Sequence, residues 1–183
     1  MEILHLKPQD YKTSRWSGGT TTELFIWPKD ADYASRAFRL RISSATVDLP
    51  ESDFTPLAGV QRYILPLQGG FTLTHPGSEP VVMKPWDTPY RFSGEIATHC
   101  VGTATDFNLM LKGIAGCMRL CSGQTVLQPG IHAFYPGKDG VFSLDGREMA
   151  VKQGELLVVI TDTPGAVDIG NTQVIHCWAD HRS

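Results

Sequence analysis

Cysteine is scarce in this 183-residue chain, and its spacing fits neither a disulfide framework nor a zinc site. The chain has four cysteines: Cys100, Cys117, Cys121 and Cys177. They are too few and too scattered to staple a chain of this length. The Cys117-x-x-x-Cys121 spacing differs from a C-x-x-C pair, and no second pair completes four zinc ligands. We therefore expect free thiols that are buried as small apolar residues.

Long apolar runs and an excess of positive charge are also missing. No run approaches the roughly 18 consecutive apolar residues of a membrane helix. The formal net charge of -3 gives no basic field for nucleic acid or anionic lipid. Residues 1–7 lack the basic start and apolar stretch of a secretory signal. We expect a cytoplasmic protein that binds neither nucleic acid nor membranes.

Histidines at metal-ligand or catalytic spacing are likewise absent from the sequence. Five of the six stand alone: His5, His75, His132, His176 and His181. None belongs to an H-x-H or H-E-x-x-H motif, so each is expected at the surface or hydrogen-bonded in the interior. His99 and Cys100 are neighbours, and on a strand they lie on opposite faces rather than forming a dyad. The sequence predicts no metal, no cofactor and no assigned catalytic residue.

Short β-branched and aromatic segments, bounded by Gly and Pro, run through the whole chain. Residues 38–47 alternate like a strand, and residues 156–160 have the length of a buried strand. Such segments recur at the spacing of about 8–12 residues that is typical of sandwiches and barrels. No stretch of a dozen residues has a convincing helical period. We predict an all-β fold with little helix.

The segment 59–73, GVQRYILPLQGGFTL, predicts a central hairpin. Its first part favours a strand, and Gly69-Gly70 supplies the positive φ that a short hairpin turn needs. Arg62 shares one strand face with Ile64, because side chains alternate along a strand. Whether Arg62 lies in a cavity or in solvent decides most of the functional interpretation.

Arginines also occupy one face of the strand predicted at residues 38–47. Arg39, Arg41 and Ser43 alternate with apolar residues and therefore share a face. Two arginines on one face are typical of a solvent-exposed surface. In the alternative interpretation, one of them lines a polar pocket.

The rhythm of strand pairs and turns in both halves resembles the cupin jelly roll, whose signature segments supply histidines and a glutamate to a metal. With the cupin spacing, the glutamate position falls on Arg62 and the following histidine position on Tyr90. Residues 55–58 hold none of the paired histidines, and the second-half histidine position falls on Leu157. The resemblance implies a bicupin without the metal ligands: barrels at 1–112 and 113–183, packed as one compact unit.

More specifically, the chain resembles the HutD/Ves family of cupin-like proteins. The matching segments are WSGGTTTEL at 16–24, Arg41-x-Ser43 leading to Ala45-Thr46-Val47, Phe54 with Gly59-Val60-x-Arg62, and DFNLM at 106–110. They span about the first 110 residues. The resemblance implies a metal-free bicupin. For the HutD branch it also implies a link to histidine utilisation, through a ligand such as N-formylglutamate or urocanate, and for the Ves branch a link to stress responses.

The resemblance places a set of candidate ligand-binding residues around the first barrel: Arg62, Arg41, Asn108, Asp106, Tyr90, Glu23 and Trp16. A guanidinium fits a carboxylate bidentately, so Arg62 at a metal-binding glutamate position replaces a cation site with an anion site. We expect Arg62 and Arg41 to hold a small carboxylate. Asn108 and Tyr90 would contact its other polar atoms, and Trp16 would cover it.

An alternative is that Arg62 is a structural arginine neutralised by Glu23 or Asp106, because a buried unpaired charge is costly. Asp106 shares a strand face with Asn108, and it is interpreted as an ion-pair partner or as a general base.

Three functions follow from these interpretations. The leading hypothesis is a metabolite-binding sensor or regulator. The second is a cofactor-independent lyase or isomerase that acts on a small carboxylate, with Glu23, Tyr90 or Asp106 as acid or base. The third is a structural or protein-interaction module with an empty barrel. Because the sheet edges of such a barrel can pair, a homodimer is expected.

Overall fold

The structure, a computed structural model, describes residues 1–182. These residues form 19 strands, and their one helix is a 3-10 turn at Pro8–Asp10. Every strand pair from the first, β1 with β17, to the last, β7 with β8, is antiparallel. The prediction of an all-β fold with little helix is confirmed.

The described chain divides into two compact units. The first unit comprises residues 12–113, and the second unit comprises residues 1–11 together with the segment that starts at Ile114. The division expected at 112/113 lies next to this junction, but residues 1–11 pack with the second unit. The reason is strand pairing: the N-terminal strand β1 lies along β17, from Glu2 opposite Ile160 to Leu6 opposite Leu156.

The first unit contains ten strands in two sheets. Their bounds are β2 Lys12–Trp16, β3 Gly19–Trp27, β4 Leu40–Val47, β5 Glu51–Asp53, β6 Val60–Gly69, β7 Phe71–Thr74, β8 Val81–Met83, β9 Tyr90–Ser93, β10 His99–Val101 and β11 Ala104–Lys112. A six-stranded sheet has the order β2-β3-β4-β11-β6-β9, and a four-stranded sheet has the order β5-β10-β7-β8. One apolar cluster joins them, with Ile64 from the first sheet and Leu73 from the second, both fully buried.

The second unit repeats this two-sheet plan. Its strands are β1 Glu2–Leu6, β12 Gly116–Cys121, β13 Gln124–Leu127, β14 Gly130–Pro136, β15 Gly140–Leu144, β16 Arg147–Val151, β17 Leu156–Thr161, β18 Gly165–Asp168 and β19 Val174–Ala179. The sheet orders are β1-β17-β14-β19-β12 and β13-β18-β15-β16. Phe134 of one sheet and Phe142 of the other are fully buried in its core.

The predicted hairpin around Gly69-Gly70 is wrong. Strand β6 pairs with β11 and β9, whereas β7 pairs with β8 and β10 in the other sheet. The glycines carry the chain across from one sheet to the other. At Gly69 the backbone has φ +71°, and a Cβ would lie 2.4 Å from the carbonyl oxygen of Thr103. Glycine is required here because the chain that enters the neighbouring strand β11 lies against Gly69.

All four cysteines are free, as predicted. Cys100 and Cys177 are buried, whereas Cys117 and Cys121 are half-buried, so the expected burial holds for two of the four. Within the part of the chain that the structure describes, no helix is long and apolar enough to cross a membrane.

Candidate functional site

Three neighbouring strands of the first unit, β4, β11 and β6, bring the candidate arginines together. Met110 on β11 lies opposite Arg41 on β4 and opposite Arg62 on β6. Two residues earlier on β11, Asn108 lies opposite Ser43. Alternate strand residues share a face, so the sheet presents both arginines and Asn108 to the same side.

This face lines a cavity of about 320 Å³ in the first unit. Five of the seven predicted ligand-binding residues line it: Trp16, Arg41, Arg62, Asp106 and Asn108. Glu23 and Tyr90 do not. Its walls combine these polar groups with aromatic rings, including Tyr33 and Phe54.

Arg41 is buried and has a partner. Its Nε donates to the Glu23 carboxylate at 2.8 Å, and its terminal amino group donates to the Ser43 hydroxyl at 3.2 Å. Arg41 is 5% exposed, so the expectation that this strand face lies in solvent is wrong for Arg41. Burial is tolerated because the neighbouring strand supplies the opposite charge. Glu23 therefore does not line the cavity but neutralises Arg41, which does.

Arg62 is buried without such a partner. It is 8% exposed, and its guanidinium lies over the rings of Phe54 and Phe92, with 4.8 and 5.2 Å to the ring centroids. Among the described residues no carboxylate forms an ion pair with it, and its buried Nε has no hydrogen-bond partner. Burial lowers the pKa of Arg62, and the positive charge of Arg41 acts in the same direction.

The two carboxylates proposed as alternative partners of Arg62 are engaged elsewhere. Glu23 pairs with Arg41. Asp106 accepts hydrogen bonds from the Ala45 amide at 3.2 Å and from the Asn108 side chain. Asp106 influences Arg62 through its field alone. Arg62 thus has no carboxylate in ion-pair contact among the described residues.

Asp106 has the properties of a carboxyl group that titrates near neutrality. It is 2% exposed, and burial raises its pKa to about 7, against the opposing effects of the Ala45 amide, Arg62 and Asn108. Burial wins because removing a carboxylate from water disfavours its charged form. Near pH 7 Asp106 is therefore only partly ionised, so it offsets the charge of Arg62 only in part.

A second unsatisfied polar atom lies in the same cavity. The amide nitrogen of Asn108 donates to Asp106, but its buried carbonyl oxygen has no hydrogen-bond donor in the described part of the chain. Buried polar atoms are nearly always paired. Arg62 Nε and Asn108 Oδ1 are thus two buried polar atoms without a partner, both in residues that line the cavity.

Tyr33 is a lining residue that the sequence reasoning missed. Its ring lies between two guanidinium groups, with Arg36 and Arg41 each 4.0 Å from the ring centroid. Such stacking helps to hold the arginine planes in place. Tyr33 belongs to the irregular segment between β3 and β4, where no periodic signal marks which side chain turns inward. Ser43, by contrast, could have been inferred from its position two residues after Arg41.

Tyr90 and Trp16 have different environments from each other. Tyr90 stacks on His75 and Phe92, with centroid separations of 5.7 and 5.6 Å, and it supports the wall instead of lining the cavity. Trp16, 41% exposed, ends strand β2 at a tight turn and lines the cavity. At the turn residue Gly18 a Cβ would lie 2.1 Å from the Trp16 ring, so a larger residue there would displace that side chain.

The cavity does not fit the metal that cupins bind. The position that corresponds to the metal-binding glutamate is the cation Arg62, and the nearby carboxyl Asp106 is drawn toward its neutral form. No group of three His, Cys, Asp or Glu side chains within residues 1–182 is arranged to hold a metal ion. The donor set instead suits an anion.

The sequence comparison identifies the family. The sequence profile of HutD matches residues 8–125, which include every residue of the cavity described above. The chain belongs to the HutD family. The match also covers all four segments that carry the resemblance to HutD, including the Gly-Gly-Thr-Thr-Thr-Glu hairpin and strand β11. Comparison with curated protein sequences finds no match.

Solved structures agree with the family assignment at the level of the fold. A conserved protein of unknown function, PA5104 from Pseudomonas aeruginosa PAO1, superposes with a TM-score of 0.83 at 23% identity, covering 98% of this chain and all of that one. HutD from Pseudomonas fluorescens SBW25, in a formate condition, gives 0.78 at 24% identity, with 97% and 99% covered. A cupin 2 conserved barrel domain protein from Leptotrichia buccalis gives 0.60 at 13%, with 98% and 97% covered. The HutD-family chain therefore has a cupin-like jelly-roll fold.

Proposed function

We propose that this HutD-family protein binds a small carboxylate in the cavity around Arg62 and acts as a sensor or regulator. The observation that carries the proposal is the buried guanidinium of Arg62, which has no acid partner among the described residues. A buried unpaired charge is strongly destabilising, and a bound carboxylate would compensate it with bidentate hydrogen bonds. The bicupin architecture, cytoplasmic location and homodimer expected from the sequence remain part of this proposal.

The unsatisfied acceptor narrows the ligand class. Asn108 Oδ1 needs a donor, so the ligand should carry an N–H or O–H group as well as a carboxylate. N-Formylglutamate and urocanate, the compounds suggested by the resemblance to HutD, each combine a carboxylate with an N–H group. Each compound could therefore supply a carboxylate to Arg62 and an N–H donor to Asn108, which supports a ligand from histidine utilisation.

The decisive experiment is calorimetric titration of four probes: formate, urocanate, N-formylglutamate and glutarate. We expect Arg62→Ala to weaken every probe at least tenfold, about 1.4 kcal/mol. The matched control is Arg91→Ala, which removes an exposed arginine of strand β9 outside the cavity. Equal affinities for the wild-type protein and Arg62→Ala would refute the carboxylate site.

The same titrations test the role of Asn108. We expect Asn108→Ala to weaken urocanate and N-formylglutamate by about five- to twentyfold, because one hydrogen bond contributes roughly 1–2 kcal/mol. Glutarate, which has no N–H group, should be affected much less. A uniform loss for all probes would contradict the assignment of Asn108 as the acceptor for the ligand's N–H.

A cofactor-independent enzyme is the second candidate, and Asp106 is the observation that favours it. A carboxyl group with a pKa raised to about 7 can exchange a proton at physiological pH. Turnover of the N–H probes by the wild-type protein, abolished in Asp106→Asn with binding retained, would favour this lyase or isomerase. The empty-barrel alternative is disfavoured by the polar lining of the cavity.

A further inference from the structure

A second cavity, of about 230 Å³, lies within the second unit. It is lined by residues of strands β12, β14 and β19, among them Arg119, His132, His176 and Trp178. Arg119 lies directly opposite His176, and His132 lies opposite Trp178. Nothing in the function proposed above uses these residues.

Two histidines that stand 44 residues apart in the sequence meet in this cavity. His132 and His176 are each 1% exposed, and His132 Nδ1 lies 2.9 Å from His176 Nε2. His176 also stacks on Phe134, with ring centroids 4.6 Å apart. Both histidines are interior and hydrogen-bonded, as expected. Their hydrogen bond to each other was not expected, because they are far apart in the sequence.

The direction of the hydrogen bonds follows from the groups at the two ends of the chain of contacts. His132 Nε2 lies 2.7 Å from the Gln128 carbonyl oxygen, which can only accept, so this nitrogen carries the proton. His132 Nδ1 then accepts from His176 Nε2. At the other end, Arg119 Nε can only donate, and it donates to His176 Nδ1 at 3.2 Å. Both ends require the same tautomers.

The chain of hydrogen bonds depends on neutral imidazoles. Burial lowers the pKa of His132, and it lowers the pKa of His176 to about 3, with Arg119 contributing in the same direction to both. Neutral His176 can therefore keep its acceptor for Arg119 across the physiological pH range. A buried, stacked ring thus holds the inner edge of an exposed guanidinium.

The terminal amino groups of Arg119 have no acceptor in the described part of the protein. The bond to His176 uses Nε and leaves the outer fork of the guanidinium available. Such a fork matches the two oxygens of one carboxylate. Arg119 carries the one positive charge in the lining, because the two histidines are neutral, and this suits a single negative charge better than a phosphate dianion.

The rest of the cavity offers an apolar surface. The Trp178 indole nitrogen donates to the Pro129 carbonyl at 3.3 Å, so the indole offers a ligand its carbon atoms and no free donor. Val126, which also lines the cavity, is 71% exposed. An exposed valine and an aromatic face beside a cation are suited to a flat, apolar acid.

We propose that this cavity is a second anion site, which takes a small monocarboxylate with a flat apolar body. Arg119 holds the carboxylate, and Trp178 and Val126 contact the body of the ligand. His176 and His132 are positioning residues, because they act on the ligand through the orientation of Arg119. The site is separate from the cavity around Arg62 and does not depend on the function proposed for it.

The experiment uses the full chain with Arg62→Ala, so that the first cavity does not contribute, and benzoate as the probe. We expect saturable calorimetric binding of benzoate, and at least tenfold weaker binding when Arg119→Ala or Arg119→Lys is added. Arg147→Ala is the matched control, since it removes an exposed arginine of strand β16 outside this cavity. Benzamide, which has the same ring without the charge, and inorganic phosphate should both bind at least tenfold more weakly than benzoate.

Nitrogen NMR of the histidine rings separates a ligand site from a merely structural arginine. Benzoate should shift the His176 Nδ1 resonance in the Arg62→Ala protein and leave it unchanged when Arg119→Lys is added. Thermal unfolding establishes that each variant is folded. If Arg119→Ala does not fold, the binding comparison uses Arg119→Lys alone. The proposal is overturned if Arg62→Ala binds no benzoate, or if the Arg119 variants bind it as tightly as their parent.

Discussion

Two arginines in one cavity show how strongly the neighbours of a side chain determine its role. Arg41 and Arg62 flank the same residue of β11, and both are buried. Arg41 has a carboxylate at 2.8 Å, so its charge is compensated within the protein. Arg62 has aromatic faces instead, and no carboxylate forms an ion pair with it among the described residues. The same residue type thus has a compensated charge on β4 and an unpaired charge on β6.

Asp106 gives the first prediction at this scale, which concerns the free energy of unfolding. Its pKa is about 7 in the folded protein and close to 3.9 in an unfolded chain. Between these values the folded state holds a proton that the unfolded state has released. The contribution of Asp106 to stability is therefore complete below about pH 4, falls as the pH rises toward 7, and is constant above that.

Comparison with Asp106→Asn isolates this contribution, because asparagine has the shape of the protonated acid and does not titrate. Relative to Asp106→Asn, the wild-type protein should lose roughly 2–4 kcal/mol of stability between pH 4 and pH 8. Urea unfolding at a series of pH values measures the difference. A difference that is independent of pH would mean that Asp106 is ionised throughout the range.

The sequence could predict part of the cavity at the level of single residues. Arg62, Asp106 and Asn108 were found because alternation along a strand and the resemblance to HutD both marked them. Tyr33 was missed, since it lies in an irregular segment whose path depends on tertiary contacts. Tyr90 was placed by cupin spacing alone, and in the structure that position supports the wall instead of lining the cavity.

At the scale of elements, the crossing at Gly69 determines which sheet each strand joins. A Gly-Gly pair between two apolar runs favours a hairpin locally, but the turn residues do not specify the partner of each strand. Strand β2 was missed for a different reason: all five of its residues are exposed, so no alternation of apolar side chains marks it. Buried strands such as β11 were predicted because their pattern is strong.

Substitution at Gly69 should test the close approach at this crossing. Gly69→Ala should cost about 3 kcal/mol of stability, because alanine is strained at φ +71° and its Cβ meets the Thr103 carbonyl. Gly59→Ala is a matched control, since Gly59 has φ +70° and nothing within 4 Å of the added Cβ. That variant should lose only about 1 kcal/mol.

Chemical denaturation of the two glycine variants measures the difference between them. It isolates the contact with Thr103 from the cost of the backbone conformation, because the two φ values are nearly the same. Equal losses of stability would show that the strands at the crossing can move apart without cost.

At the scale of the whole molecule, the first strand of the chain belongs to the second unit. Strand β1 pairs with β17, and its residue His5 lies 2.7 Å from the Glu155 carboxylate. The Tyr11 hydroxyl is within hydrogen-bond distance of the Gly154 carbonyl, at 3.0 Å. The sequence gives no sign of the partner of β1, because pairing between residues so far apart depends on the assembled fold.

Deletion of residues 1–6 should weaken the second unit selectively. Without β1, the edge of β17 is exposed, and the backbone amides of Leu156–Thr161 should exchange hydrogen at least tenfold faster. Amides of β11 in the first unit should keep their protection. Hydrogen exchange followed by mass spectrometry resolves both segments, with His5→Ala as a control that leaves the strand in place.

Unchanged exchange in β17 would mean that β1 contributes little to the second unit. Equal acceleration in β11 would mean that the two units unfold together. Either result would contradict the prediction of a selective effect.

The pairing of β1 with β17 also has a consequence for synthesis on the ribosome. Residues 12–113 form their own sheets, so they can fold while the remainder is still being translated. Strand β1 is made well before its partner β17, which follows about 150 residues later in the chain. Strand β1 therefore leaves the exit tunnel long before it can reach its final position, and a chaperone has that whole interval in which to engage it.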